Sequence, residues 1–513
     1  MILDDSNIAE NYPGVCSPLT CSVAEESYRL VFTRLAERFL GGTAGVEDMV
    51  GAMAVAYHGH LYYRLDNWLR TLRILPFARW IVPMWRRSLG VPVAALPPRP
   101  PIGWWRRAGV LVRLVGVWIA TPRLMTRLDQ EFTATQQAFD AEFTGSGDPD
   151  PVTRIAALRV VFERLRTRVL RDWDITLVND LRAFLYTDLA TRTGAPVHGV
   201  TLESLKPVRA LAELRSLPGR AELAALTTNA AVEAYLAGNS PLAEALRAYL
   251  DRYGDRGPGE LKLESETFRT NPLALVHAVL ATPLGAARTA DLAPARFRNP
   301  LARRALQAVA NRETSRLHRS RLYGMIRTIA REVGALLAAH GYLDDASDVF
   351  FLTWEEMLSA PVDRRDAVAS RRQTWAEYAT LPIESRVVLG EPAAPAASRS
   401  VAKPGRSDRL QGIPAAAGRA EGDVLVVAEP GVDASGRIVV TVSTDPGWVF
   451  LLSTAAGVIA ERGSPLSHTA IVCRELGLPA IVGVPDATSR LRTGDRVRLD
   501  ADTGAIEVIA HAF

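Results

Sequence analysis

The 513-residue sequence is poor in cysteine and in lysine. Three cysteines, Cys16, Cys21 and Cys473, are too few for a disulfide framework or a four-thiolate zinc site. Their scarcity indicates a reducing compartment. Only three of the sixty basic residues are lysines, and codon bias towards arginine is the simplest explanation. The lysines are Lys206, Lys262 and Lys403.

The sequence also has no long uninterrupted apolar run, and no secretory signal is expected. Its first residues, MILDDSNIAENYPG, contain neither a basic start nor an apolar core. Arginines and prolines interrupt residues 74–121, and the later apolar run at 114–120 is shorter than the roughly 20 residues that span a bilayer. We therefore expect a cytoplasmic protein with no membrane contact. The stretch is expected to form a buried or amphipathic helix, with a hydrophobic ligand wall as the alternative.

What is present is ordinary globular composition, 48% hydrophobic and 23% charged, which excludes a disordered or fibrous chain. Residues 1–390 are predicted to be mainly helical, because apolar side chains recur every three or four residues over several stretches. These stretches are 154–191, 242–253, 302–316 and 322–340. Proline and glycine are expected to divide the helices. The breakers are Pro122, 145–151, 194–196, 254–259, Pro294 and Pro300.

Residues 391–411 are rich in proline, alanine, serine and charge, which predicts a flexible linker or, alternatively, a surface loop. Residues 412–513 contain short β-branched segments bounded by turns, with helices expected near 447–453 and from Ser467. The predicted strands are 423–427, 437–442, 457–460, 480–484, 496–499 and 505–509. The predicted fold is therefore multidomain, a large mainly α-helical domain followed by a small α/β domain.

The most informative segment is 461–479, ERGSPLSHTAIVCRELGLP. Gly463 follows a buried strand, and Ser467 stands where a helix N-cap is expected. His468 would then be the first helical residue. Unpaired N–H groups and the helix dipole favour a neutral imidazole and an anion there. Such a histidine suits transient carriage of a phosphoryl group.

Residues 463–479 resemble the phosphohistidine signature of the swivelling domain in phosphoenolpyruvate synthase, pyruvate phosphate dikinase and rifampin phosphotransferase. Three flanking segments agree with this resemblance, namely 412–422, 444–446 and 478–483. It implies that His468 is phosphorylated and that its domain moves between a nucleotide site and an acceptor site. The expected phosphate-binding residues are Gly463, Ser464, Ser467 and Thr469. Ser464 replaces an expected second glycine, which should affect loop flexibility rather than the identity of the nucleophile.

Four shorter segments resemble, in the family order, the acceptor-binding helical domain of rifampin-phosphotransferase-like proteins. They are 11–20, 59–67, 253–260 and 348–356. The family places its nucleotide-binding domain before the first of them, but here that segment already begins at Asn11. The sequence also has no GxxxxGK[ST] loop. We therefore expect ATP and Mg²⁺ to be supplied by a separate, ATP-grasp-like protein and not to be bound tightly by this chain.

The turn at 253–262, YGDRGPGELK, combines charges that phosphoryl transfer needs. Arg256 and Lys262 could neutralise phosphoryl oxygens, and Glu260 could accept the proton of the acceptor hydroxyl. The alternative is a helix-ending loop whose charges pair with one another.

The resemblance also implies that aromatic residues line a pocket for a bulky apolar acceptor, although core packing would place them equally well. The candidates are Tyr57, Tyr62, Tyr63 and Trp68. His58 and His60 lack a nearby carboxylate or thiol, so no metal site is predicted. No nucleic-acid motif is recognised, and Cys473 is expected to be a small buried residue.

These observations predict a dikinase-type phosphotransferase component that carries phosphoryl on His468 from ATP to a hydroxyl of a hydrophobic small molecule. The product could be the phosphate ester, or the ester could undergo elimination and give a net dehydration. Two other classes stay open. They are a catalytically silent binding or regulatory homologue, and a phosphate-independent cyclase or dehydratase that uses the acceptor pocket. The sequence does not determine the oligomeric state.

Overall fold

The structure is a computed structural model of the whole chain. It describes most of the two predicted domains and omits most of the predicted linker. The described residues are 1–5, 8–74, 78, 82, 100, 102–143, 150–193, 206–257, 259–282, 299–381, 384–389, 409–428, 434–444, 448–463 and 468–512. The predicted breakers at 194–196 and Pro294 lie outside these residues.

The first part of the chain is mainly helical, as predicted, and we call it the helical body (residues 1–389). Its helices are α1 (Pro18–Leu40), α2 (Glu47–Val50), α3 (Leu65–Leu72), α4 (Trp104–Phe143), α5 (Pro151–Arg164), α6 (Asp174–Arg192), α7 (Lys206–Ser216), α8 (Arg220–Ala225), α9 (Asn229–Leu236), α10 (Pro241–Tyr253), α11 (Pro272–Ala281), α12 (Pro300–Ala339), α13 (Trp354–Met357) and α14 (Arg365–Tyr378). Helix α12 packs along α6, and its buried residues Ile326 and Val333 belong to the largest core.

The helical body also contains a four-stranded sheet that the helical prediction missed. Its strands are β1 (Ile2–Asp4), β2 (Ala54–Tyr57), β3 (His60–Arg64) and β4 (Arg386–Val388). They are antiparallel in the order β2-β3-β1-β4, which we call the small sheet. Leu3 pairs with both Arg64 and Val387, so three distant parts of the chain meet in one short strand. Such short strands carry too little periodicity to be predicted locally.

Pro122 does not end a helix, contrary to the prediction, because α4 continues through it. Proline has no N–H to donate to the carbonyl four residues earlier, which here belongs to Trp118. The guanidinium of Arg182 on α6 donates a hydrogen bond to that carbonyl instead. A tertiary contact thus replaces the missing helical hydrogen bond. Pro151 and Pro300 stand at helix starts, with Asp150 and Asn299 as N-caps.

One described helix is long and apolar enough to cross a bilayer by length and composition alone. It is residues Trp105–Phe143 of α4, and 17% of its most apolar 18-residue window is buried. A single helix of this kind is weak evidence for a membrane span.

The remainder of the described chain is a compact α/β unit that we call the C-terminal domain (residues 409–512). Its strands are β5 (Arg409–Gln411), β6 (Ile413–Ala416), β7 (Arg419–Val426), β8 (Ile438–Thr441), β9 (Gly457–Ala460), β10 (Ala480–Val482), β11 (Arg496–Asp500) and β12 (Ala505–Ala510). Its helices are α15 (Val449–Leu452), α16 (His468–Leu476) and α17 (Ala487–Arg490). The six predicted strands are confirmed, and β5 and β6 are additional.

The eight strands form one sheet in the order β5-β12-β11-β7-β8-β9-β10-β6, whose central strands β7 to β10 are parallel. Helices α15 and α16 cover one face, where Leu452 and Val472 are buried, and α17 lies against the other. Strand β5 pairs with β12, so residues 409–411 of the predicted linker belong to this sheet. This arrangement places the start of α16 beyond the end of β9.

Candidate functional site

The backbone around His468 agrees with the prediction. Strand β9 ends at Ala460, Gly463 has a positive φ of 132° that favours glycine, and α16 begins at His468. Residues 464–467, which include the predicted phosphate-binding Ser464 and Ser467, lie outside the described residues, as does the side chain of His468. The first helical residue is therefore the histidine that the signature implies.

The residues that follow His468 fix the helix start in the domain. The hydroxyls of Thr469 and Thr444 form a buried hydrogen bond of 2.5 Å, so Thr469 ties α16 to the end of the β8 segment. Cys473 is fully buried, as predicted, and burial raises the pKa of its thiol to about 12. The helix ends at Gly477, whose φ of 63° is left-handed. The segment is thus anchored at both ends.

A charged contact joins the phosphohistidine segment to the helical body. Arg462, next to Gly463, donates hydrogen bonds from Nη1 to Oδ2 of Asp5 at 3.0 Å and from Nη2 to Oγ of Ser385 at 2.8 Å. Asp5 is 4% exposed, and burial raises the pKa of its carboxyl although Arg462 opposes the change. We call this set the Arg462 contact. Sequence reasoning missed it because its two charges come from opposite ends of the chain.

The four predicted aromatic residues divide between two faces of the small sheet. The hydroxyl of Tyr62 donates to the carbonyl of Glu384 at 3.0 Å, beside the Arg462 contact, and burial raises its pKa to about 12. Tyr57 packs edge to face against Tyr62, with ring centroids 6.4 Å apart. Tyr63 and Trp68 instead line a cavity of about 190 Å³ in the helical body. The structure therefore does not bring all four into one pocket.

The charged residues of the 253–262 turn are held by partners within the helical body. Arg256 is 7% exposed, and its Nη1 lies 3.3 Å from Oε1 of Glu260. The same Oε1 accepts a hydrogen bond of 2.6 Å from Ser320 on α12. The Nζ of Lys262 donates to two backbone carbonyls, of Pro13 at 3.0 Å and Val15 at 2.7 Å. These contacts agree with the alternative that the charges hold the loop.

The four segments that resemble the acceptor-binding domain nevertheless meet in space. Glu264, just after the turn, accepts hydrogen bonds from the Ser17 hydroxyl at 2.7 Å and the Thr20 hydroxyl at 2.6 Å. The backbone N–H of Cys16 donates to the carbonyl of Gly59 at 2.8 Å. The N–H of Trp354 donates to Oγ of Ser22 on α1 at 3.0 Å. Segments from distant parts of the sequence thus form one assembly around the start of α1.

His58 and His60 do not form a metal site with other ligands. Within the described part of the chain, no group of three or more His, Cys, Asp and Glu side chains could hold a metal ion. The ring of His58 stacks on Tyr57 with centroids 4.0 Å apart, and burial lowers the pKa of His60.

Two protein-family models match this chain. Residues 433–504 match the mobile domain of PEP-utilising enzymes, and residues 186–339 match the fourth domain of rifampicin phosphotransferase. The first match contains the segment around His468. The second contains the end of α6 and all of α7 to α12. The C-terminal domain therefore matches the mobile domain of PEP-utilising enzymes, and the predicted family resemblance is confirmed.

Individual relatives agree with these matches. An uncharacterized protein of Mycobacterium tuberculosis is 29% identical over 541 residues, which cover 98% of this chain and 61% of the relative. A rifampicin phosphotransferase of a Streptomyces species is 34% identical over 310 residues, with 53% and 35% covered. An uncharacterized phosphotransferase of Bacillus subtilis is 32% identical over 200 residues, with 36% and 24% covered. The chain thus spans less than two thirds of the length of each relative.

Proposed function

We propose that this chain is a phosphotransferase component in which His468 carries a phosphoryl group from ATP to a hydroxyl of a small molecule bound by the helical body. The observation that carries the proposal is the position of His468. It is the first residue of α16, within the segment that matches the PEP-utilising mobile domain. A helix start offers N–H groups and a positive dipole end to a phosphoryl group on that residue.

Loading would take place on a separate nucleotide-binding protein that holds ATP with Mg²⁺. A nitrogen of the neutral imidazole attacks phosphorus and forms a P–N bond while the P–O bond to the nucleotide leaving group breaks. The hydroxyl oxygen of the acceptor then attacks the same phosphorus, the P–N bond breaks, and the hydroxyl proton passes to a base. The imidazole is neutral again after both steps.

The Arg462 contact supports delivery to the helical body. It attaches the residue just before the phosphohistidine loop to the small sheet, whose strands β1 and β3 adjoin the segments that resemble the acceptor-binding domain. A charged pair of this kind can hold a moving domain in one orientation and release it, because its Coulomb attraction is offset by the cost of removing both ions from water. The transfer orientation is therefore proposed to be the one in which Arg462 contacts Asp5.

Labelled ATP tests the proposal. The protein is incubated with γ- or β-labelled ATP and Mg²⁺, alone and with a candidate nucleotide-binding protein. We expect acid-labile label on the wild-type chain only with that protein, no label on His468→Ala, and normal labelling of His340→Ala, whose ring is exposed on the helical body. Label on the wild type without a partner would refute the separate donor, and equal labelling of His468→Ala would refute the phosphohistidine.

The labelled position in ATP distinguishes loss of one phosphate from loss of two. Product analysis then separates the two fates of the acceptor. A stable phosphate ester marks simple phosphorylation, whereas inorganic phosphate released together with an alkene marks elimination.

A further inference from the structure

The cavity in the helical body has one aromatic wall and one cationic wall. The aromatic wall comes from four elements and contains Tyr28, Tyr63, Trp68 and Trp173. Tyr28 and Tyr63 share a hydroxyl–hydroxyl hydrogen bond of 2.9 Å, and the rings of Tyr63 and Trp68 lie 4.8 Å apart. The volume of about 190 Å³ is below the roughly 300–1,000 Å³ of pockets for drug-sized ligands. The wall therefore fits a small, flat apolar body.

The cationic wall is formed by α12, which presents three arginines at positions 312, 316 and 319. Two of them have carboxylate partners. Nε of Arg312 lies 3.4 Å from Oδ1 of Asp180, and Nη1 of Arg316 lies 3.8 Å from Oε1 of Glu313. Arg312 and Arg316 therefore each already lie beside a carboxylate.

Arg319 differs from these two arginines, because its hydrogen-bond partner is a neutral group. Its Nη2 donates a hydrogen bond to the neutral amide oxygen of Asn11 at 2.7 Å, and its Nε has no hydrogen-bond partner. Among the described residues, no carboxylate forms an ion pair with Arg319. The charges of Glu260 and Asp180 act on it from further away, but Glu260 is paired with Arg256 and Asp180 with Arg312. A guanidinium without an anionic partner beside a cavity is a ready binding group for an oxyanion.

A pair of phenols completes this end of the cavity. The hydroxyls of Tyr12 and Tyr323 are 2.5 Å apart, and both side chains are buried. Burial raises the pKa of each, so both stay protonated. One hydroxyl donates to the other, which leaves one O–H of the pair to donate elsewhere. Together with Arg319 they give the lining of the cavity a set of polar groups in addition to its aromatic rings.

We propose that this cavity binds a small molecule with a flat apolar body and an oxyanion, carboxylate or phosphate, which pairs with Arg319. This proposal rests on the proposed function in one respect: the bound molecule is taken to be the phosphoryl acceptor or its phosphorylated product. A carboxylate would belong to the acceptor itself, and a phosphate would be the group transferred from His468.

Calorimetric titration of the full chain in a His468→Ala background tests the proposal without any phosphoryl chemistry. The probes are 4-hydroxybenzoate, phenyl phosphate and the uncharged 4-hydroxybenzamide. We expect at least one anion to bind at least tenfold more tightly than the amide. Preference for the benzoate identifies the acceptor's own acid group, and preference for phenyl phosphate identifies the transferred group.

Variants on one helix provide the control. Arg319→Gln is expected to reduce the preference for the anion below threefold and to leave amide binding unchanged. Arg319→Lys, which keeps the charge, should retain part of the preference, and Arg331→Gln, exposed on the same helix, should retain all of it. Equal binding of anion and amide to the wild type, an unchanged preference in Arg319→Gln, or no binding of any probe at millimolar concentration would overturn the proposal. A failure of histidine labelling would leave this result untouched.

Discussion

The 253–262 turn and the segment that precedes His468 both carry arginine beside glycine, yet the structure uses the two in different ways. Arg256 and Lys262 are held inside the helical body by Glu260 and by backbone carbonyls. Arg462 reaches out of its own domain to a buried carboxylate of the other. Residue type and spacing suggest phosphate chemistry in both places. Only the residues that each arginine contacts distinguish a charge that holds a loop from a charge that joins two domains.

The strongest expected effect tests whether the turn is a structural anchor. Glu264→Ala removes the acceptor for the Ser17 and Thr20 hydroxyls and for the Ser17 N–H. We expect the free energy of unfolding to fall by about 3 kcal/mol, measured by urea denaturation. Glu266→Ala, which loses one exposed hydrogen bond, should change it by less than about 0.5 kcal/mol. Equal effects of the two variants would show that the turn does not anchor the start of α1.

Glu260→Gln separates the two interpretations of the turn. The amide cannot neutralise the buried guanidinium of Arg256, so we expect a loss of about 2 kcal/mol in the free energy of unfolding. The matched control is Glu213→Gln, on α7. A variant with unchanged stability that delivers phosphoryl more than 100-fold more slowly would instead identify Glu260 as the base, as its residue type suggests.

Asp5→Asn tests the contact between the domains. The variant keeps the shape of the side chain but loses the charge that Arg462 contacts, so we expect roughly tenfold faster hydrogen–deuterium exchange at residues 384–389 and 461–463. Asp66→Asn, which loses a pair within the helical body, should leave that exchange unchanged. Unchanged exchange in Asp5→Asn would mean that the pair does not hold the domains together.

The same contact is expected to depend on pH. Burial raises the pKa of Asp5, and the pair with Arg462 requires the ionised carboxylate. Arg462 lowers that pKa relative to the state in which the two domains are apart, so the ion pair stabilises the contact above the pKa of Asp5, and this effect is lost as the pH falls through it. At low pH, the hydrogen–deuterium exchange rate of the wild type at residues 384–389 should thus approach that of Asp5→Asn. A difference between the two rates that stays constant as the pH is lowered would contradict this.

A smaller effect is expected at Glu356, within the 348–356 segment. Hydrogen bonds from Arg371 lower the pKa of its carboxyl from 4.5 to about 2. A depressed pKa stabilises the fold above pH 4.5, and this contribution is lost as the pH falls from 4.5 towards 2. Because the pair is partly exposed, we expect Glu356→Gln to cost about 1 kcal/mol at pH 7 and nothing near pH 2. A cost that does not depend on pH would contradict the ionic origin.

Local patterns predicted most of the C-terminal domain. Its parallel strands are continuous β-branched runs, and the start of α16 follows from Ser467 and His468 in sequence. The small sheet was not predicted, because Leu3 pairs with Arg64 and Val387 and no local pattern records such partners. The same reason applies to Pro122, whose effect on α4 depends on an arginine of another helix.

Only part of the candidate site was predicted from the sequence. His468 could be singled out because a helix start and its loop are encoded in consecutive residues. Asp5 and Arg319 could not, since their importance depends on what lies next to them in the fold. Tyr63 and Trp68 were named from sequence, and the structure adds the three arginines of α12 that line the same cavity.

The role of His468 as the phosphoryl carrier can be tested on a single tryptic peptide. Cleavage after Arg462 and Arg474 releases residues 463–474, which contain His468 together with Ser464, Ser467 and Thr469. After loading, the peptide is kept at alkaline pH and fragmented by electron transfer to locate the phosphoryl group. We expect one phosphoryl group on residue 468 and none on the three hydroxyl residues. A phosphoryl group on Ser464, Ser467 or Thr469, or an unmodified peptide from labelled protein, would contradict it.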